Sequence, residues 1–202
     1  MQFVISSNTC AQKGWLLHYG VKPAIYHRDI KATNILLDEN MRARVVDFRL
    51  AKQSRERQSH LTTRVAGTHG SLAPKYALYG QLTEKSDVYS FGVVILEIMY
   101  GRKALDLSIS DSPHAFLITD WAWSLIKEGK VGEVLDTALL GGDGTSFEIM
   151  NPRRIMERFV LVGILCAHVM VALRPTIMDA LKMLEGDIEV SEMEVLLVFR
   201  RC

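Results

Sequence analysis

The chain has 202 residues, of which 49% are hydrophobic and 23% charged, and its formal net charge is +1. That balance suits one folded domain with a sizeable core, excludes a disordered or collagen-like chain, and gives no general attraction to nucleic acid or to an anionic membrane. Cys10, Cys166 and Cys202 are odd in number and far apart, so they suggest free thiols in a reducing, cytoplasmic compartment rather than a disulfide framework.

Residues 1 to 14 show no clean periodicity, and the apolar trio Phe3-Val4-Ile5 lacks the basic flank of a secretory signal. Trp15 to Tyr19 reads as the end of a helix that Gly20 stops. The stretch His27-Arg28-Asp29-Ile30-Lys31-Ala32-Thr33-Asn34 then packs one acid, two cations, an imidazole and an amide into eight residues, ahead of the apolar run Ile35-Leu36-Leu37. Such a cluster reads as a loop that presents polar groups from an apolar platform. Asp29 and Asn34 are spaced so that both oxygens can face one cation. Ile35 to Asp47 reads as two short strands about the turn Asp38-Glu39-Asn40. Asp47 to Lys75 holds six Lys/Arg against two acids, and its middle, Lys52 to Arg64, reads as a mobile basic loop.

Helical spacing dominates beyond that point. Thr83 is the expected N-cap of a central buried helix with a face of Val88, Phe91, Val94, Ile95 and Ile98, ending near Gly101. Trp121, Trp123, Leu125 and Ile126 mark a helix ending at Gly129, and Gly141-Gly142-Asp143-Gly144 is a flexible break. Pro152 opens a helix expected to run through Ile155 to Val171, and Thr176 to Leu184 forms another. The apolar run Phe159 to Leu173 includes His168 and is 15 residues long, short of the ~20 needed to cross a bilayer, so no membrane span is expected. The tail from Gly186, with Val195-Leu196-Leu197-Val198-Phe199, is expected to pack loosely or to be sticky.

The eight residues His27 to Asn34 resemble the catalytic loop of protein kinases, in which the Asp accepts the substrate hydroxyl proton and the Asn binds magnesium; Lys31 is the Ser/Thr-kinase form. Asp47-Phe48-Arg49, which follows Asp29 by 18 residues, is similar to the magnesium-binding Asp-Phe-Gly turn with its Gly replaced. Gly67 to Lys75 resembles the end of an activation segment. With Ser86-Asp87-Val88-Tyr89-Ser90-Phe91-Gly92 and the late Cys166 to Arg174-Pro175 stretch, the wording is similar to plant receptor-like Ser/Thr protein kinases over roughly Leu17 to Glu185.

The resemblance implies a truncated, protein kinase-like fold: a mainly α-helical C-lobe at 15–185 with a short β-hairpin around the catalytic and Asp-Phe-Arg loops, flanked by a non-homologous segment at 1–14 and a divergent tail at 186–202. It implies Asp29, Lys31 and Asn34 as catalytic, Asn34 and Asp47 as magnesium ligands, and Leu36 as the floor of the adenine site. ATP and Mg2+ are the implied cofactors, and a protein substrate or partner kinase the implied partner. A phosphate on Thr62, Thr63 or Thr68 would pair with Arg28, while Thr68 has a rival role bonding Asp29 and Lys31. Asp87 would tie down the catalytic-loop backbone. Twenty-six residues before His27 leave no room for the smaller lobe with its Gly-rich loop and Lys–Glu pair, so the chain is expected to be inactive alone.

Three departures bear on activity. Arg49 replaces the family's Gly, which restricts positive torsions there and puts a cation within reach of Asp47. Lys75 stands where a Glu pairs with the position of Arg174, so two cations are expected to face each other across a partly buried contact. Ser71 replaces a Tyr. Three readings follow: an enzyme by descent, a pseudokinase-like binding or scaffold module, and a truncated product without activity.

Overall fold

A computed structural model of the chain describes residues 16–54, 60–106, 116–136 and 152–200. The expectations at residues 1–14 and Gly141–Gly144, and those at Cys10 and Cys202, fall outside them. A π-type turn at Leu16–Gly20 leads to strand β1 (Ile25–Tyr26) and a 3-10 turn at Ala32–Asn34. Strands β2 (Ile35–Leu37) and β3 (Ala43–Val45) follow, then a 3-10 turn at Phe48–Leu50, β4 (Lys52–Gln53) and β5 (Leu61–Thr62). Helix α1 (Pro74–Tyr79), β6 (Gln81–Leu82) and the long helix α2 (Glu84–Tyr100) come next. Beyond β7 (Leu105–Asp106) and β8 (Phe116–Leu117), α3 (Ile118–Lys127), α4 (Pro152–Cys166), α5 (Ile177–Glu185) and α6 (Glu192–Arg200) complete the described chain.

The expected hairpin is present. β2 and β3 pair antiparallel with Ile35 opposite Val45 and Leu37 opposite Ala43. Asp38 closes the turn because its Oδ1 accepts the amides of Asn40 and Arg42 at 3.0 and 2.9 Å, the local capping that makes Asp a turn residue. The supposed basic loop is pinned at both ends: β4 pairs with β1, and β5 with β6. Residues 55–59 of it lie outside the described chain.

Helix α2 starts where Thr83 was expected to cap it, with Ser86 Oγ accepting the Thr83 amide at 3.2 Å. The single apolar face read from the sequence is too narrow, since every residue from Ser86 to Leu96 is buried. A helix buried all round needs close neighbours on each side. Against α4 that closeness comes from Gly92 and Gly163: an added Cβ at Gly92 would stand 2.5 Å from the Gly163 carbonyl oxygen.

Helix α4 ends at Cys166 rather than at Val171. The carbonyls of His168 and Val169 accept Arg174 Nε at 2.6 Å and Nη2 at 3.1 Å, so Arg174 draws them away from a continuing helical ladder. The tail also differs from expectation. Helix α6 docks on the core through Val195, which is fully buried. Phe199 stacks on Trp123 with centroids 3.9 Å apart and lies over His168 at 4.0 Å. An amphipathic helix that finds an apolar groove orders there because burial offsets its conformational entropy.

Candidate active site

The site is built at the junction of the first strands and α2. Asp87 is buried in the first turn of α2 (1% exposed), and a buried carboxylate must collect donors. It accepts the backbone amides of His27 at 2.7 Å and Arg28 at 2.9 Å, and His18 Nε2 donates to it at 3.1 Å. Arg28 thereby holds φ +72°, a left-handed conformation that costs a non-glycine residue of order 1–3 kcal/mol. The His27 ring, fully buried, fixes the turn from the other side: Nε2 donates to the Val46 carbonyl at 3.0 Å and Nδ1 accepts the Asp29 amide at 3.3 Å. Phe48 meets the same ring edge-on at 4.7 Å.

Asp29, Lys31, Asn34 and Thr68 converge. Thr68 Oγ1 donates to Asp29 Oδ1 at 2.7 Å and accepts from Lys31 Nζ at 2.9 Å. Lys31 Nζ is also 3.1 Å from Asp29 Oδ2. Asn34 Nδ2 donates to the Asp29 carbonyl at 2.9 Å and to Oδ2 at 3.2 Å. Burial works against ionisation of Asp29, but the bonds from Thr68, Lys31 and Asn34 outweigh it and hold its carboxyl below the ordinary carboxylate value. Leu36 lies on β2 and is 54% exposed.

Asp47 adopts φ +65° at the head of its 3-10 turn. Arg49 has no positive φ, so the torsional penalty expected there does not arise; among the described residues the positive torsions of non-glycine residues fall at Arg28, Met41 and Asp47. Its side chain instead turns back on Asp47, with Nε donating to Oδ1 and Nη2 to Oδ2, both at 2.7 Å. Those bonds lower the Asp47 carboxyl to about 2.

Arg28 is 6% exposed. Its guanidinium donates to the Tyr76 hydroxyl from Nε at 3.0 Å and Nη2 at 2.6 Å, to the Leu50 carbonyl at 2.9 Å and to the Arg64 carbonyl at 2.7 Å. Thr62 is exposed on β5, and Thr63 Oγ1 accepts from Lys52 Nζ at 2.7 Å. Tyr76 and His18 were not found from the sequence. Neither carries a local signal, because their partners lie 48 and 69 residues away.

The expected confrontation of Lys75 and Arg174 is corrected. Lys75 is exposed on α1, whereas Arg174 is 2% exposed, donates to the carbonyl oxygens of His168, Lys85 and Val169, and stacks over Tyr89 at 4.9 Å. The cation beside it is Lys85: Lys85 Nζ donates to the Arg174 carbonyl at 2.8 Å, and Arg174 Nη1 to the Lys85 carbonyl at 2.9 Å.

Residues 14–183 match the protein kinase domain model. The chain belongs to the plant receptor-like Ser/Thr protein kinase family. It is 79% identical over 86% of its length to an Arabidopsis thaliana protein named a probable receptor-like protein kinase, of which it covers 28%. It is 50% identical over 85% of its length to a probable LRR receptor-like serine/threonine-protein kinase of the same plant, covering 26% of that protein. A second kinase of that description is 43% identical, with 87% of this chain and 16% of the relative covered. The chain therefore spans about a quarter or less of these relatives. The fold is accordingly protein kinase-like and mainly helical. Members of the family use ATP and Mg2+. Asn34 and Asp47 offer the oxygen donors that Mg2+ takes, but with both Asp47 oxygens held by Arg49 this kinase-family site does not fit the ion as arranged. Among the described residues no helix is long and apolar enough to cross a membrane.

Proposed function

We propose that the chain forms the C-lobe of a Ser/Thr protein kinase domain, by descent an ATP-dependent protein phosphotransferase, and that these 202 residues alone transfer no phosphate. The observation that supports this reading is the Asp29–Lys31–Asn34–Thr68 network. Asp29 is kept ionised and oriented, so it could accept the proton of a Ser or Thr hydroxyl as that oxygen bonds the γ-phosphorus of ATP and ADP leaves. Lys31 would steady the transferred phosphate, with Thr68 bonded to both Asp29 and Lys31. Leu36 would supply the adenine floor. Arg28 would have to release Tyr76 and the Leu50 and Arg64 carbonyls to meet a phosphate on Thr62 or Thr63, while the bonds of Thr68 favour its rival, structural role. The protein substrate or partner kinase would be met in the cytoplasm.

Phosphoryl transfer depends on positioning and charge clamping, and in these residues the Arg49 guanidinium already occupies both oxygens of Asp47. The Arg49–Asp47 pair favours a second reading, a non-catalytic pseudokinase-like module in receptor kinase signalling. Incubating the purified chain with labelled ATP, divalent metal and a generic protein substrate tests the first. No transfer above background is expected. Transfer that disappears in Asp29→Asn would overturn the proposal of inactivity and establish Asp29 as the base.

A further inference from the structure

We propose that Arg49 is a tethered cation that takes the place of the divalent metal at Asp47 and excludes it. The inference rests on reading Asp47 as the family's metal-binding position. The pairing is bidentate, with two N–H···O bonds of 2.7 Å to the two carboxylate oxygens, the strongest geometry an Arg–carboxylate pair attains. Its partners are two residues apart in one 3-10 turn, so the cation is never far from the carboxylate. Mg2+ requires near-octahedral oxygen ligands at ~2.0–2.1 Å, and a guanidinium fork across both oxygens obstructs that approach.

Charge balance points the same way. The acids of the site are Asp29 and Asp47, and its cations are Lys31 and Arg49. The field of Lys31 reaches Asp47, and that of Asp29 reaches Arg49. Two acids against two cations leave no surplus negative charge to hold a dication. Without Arg49 the site carries a net charge of minus one. The Arg49 side chain is 86% exposed, so the pair is water-screened and worth little by itself. Repulsion adds to it: a divalent ion ~4 Å from a guanidinium is disfavoured by up to about thirty-fold in a water-like dielectric, less as salt screens the charges or the exposed side chain swings away.

Mn2+ binding to the purified chain, followed by water-proton relaxation, tests this without requiring activity. Arg49→Gly and Arg49→Ala are both used, so that a backbone effect of glycine is separated from loss of the guanidinium, and thermal melting checks that each variant is folded. Both should bind Mn2+ at least about ten-fold more tightly than the unaltered chain, and the gain should vanish in Arg49→Ala/Asp47→Asn. Equal binding by the unaltered chain and Arg49→Ala, lost in both when Asp47→Asn is added, would overturn the exclusion but leave Asp47 as a metal ligand. If no variant binds Mn2+ through Asp47, the exclusion falls, while the kinase-type reading of Asp47, in which nucleotide phosphates share the ion, stands.

Discussion

The Asp87 carboxylate, at the start of a 17-residue helix, accepts the amide of Arg28 at 2.9 Å from 59 residues earlier in the chain. With the His27 amide and His18 Nε2 on the same group, it holds the loop that begins at His27 in a conformation that its own sequence disfavours, with Arg28 at φ +72°. Asp87→Ala leaves these buried donors without an acceptor, and removing one member of such a buried network costs about 3–5 kcal/mol. Urea midpoints should fall accordingly. A loss below ~1 kcal/mol would mean that the loop turn is held by something else.

Lys75→Glu should be nearly silent, within ~0.5 kcal/mol, because Lys75 is exposed. Arg174→Ala should cost about 3 kcal/mol, since it frees the buried His168 carbonyl and the part-buried Lys85 and Val169 carbonyls and removes the cation over Tyr89. A double-mutant cycle on denaturant midpoints should show coupling within ~0.5 kcal/mol of zero. Strong favourable coupling would restore the contact that the kinase resemblance suggested.

The tail helix α6 should contribute to stability. Val195→Ala removes a fully buried side chain from the core, and Phe199→Ala removes the ring stacked on Trp123. Each should lower stability by roughly 1–3 kcal/mol, read as a fall in the thermal midpoint. A truncation after Glu185 that melts like the full chain would show that α6 does not hold the core.

Cys166 is fully buried, and burial pushes its thiol up to about 12. The folded state thus favours the protonated form. Its contribution is fully present below the unfolded thiol value of ~8.5 and is lost as pH rises toward the folded one. In a Cys10→Ser/Cys202→Ser chain, Ellman's reagent should react at the rate of unfolding, and stability should decline from about pH 9 upward. Rapid labelling at neutral pH in the folded chain would contradict the burial.

What the sequence alone determined was whatever depends on neighbours along the chain. The Asp38 turn, the Thr83 cap and the existence of helices α2 and α5 are short-range hydrogen bonding and 3.6-residue spacing, so they can be read from adjacent letters. The catalytic-loop wording placed Asp29, Lys31 and Asn34 together, and the departure at position 49 put a cation near Asp47. Tertiary structure decided where isolated charges and hydrophobes found partners. Arg174 went to carbonyls and Tyr89, Lys75 to the surface, Arg28 to Tyr76, and α6 to the groove by Trp123, each across a chain separation that carries no local pattern. The physical reason is that a buried cation takes whichever oxygens the packed fold leaves unpaired, and packing alone fixes which those are.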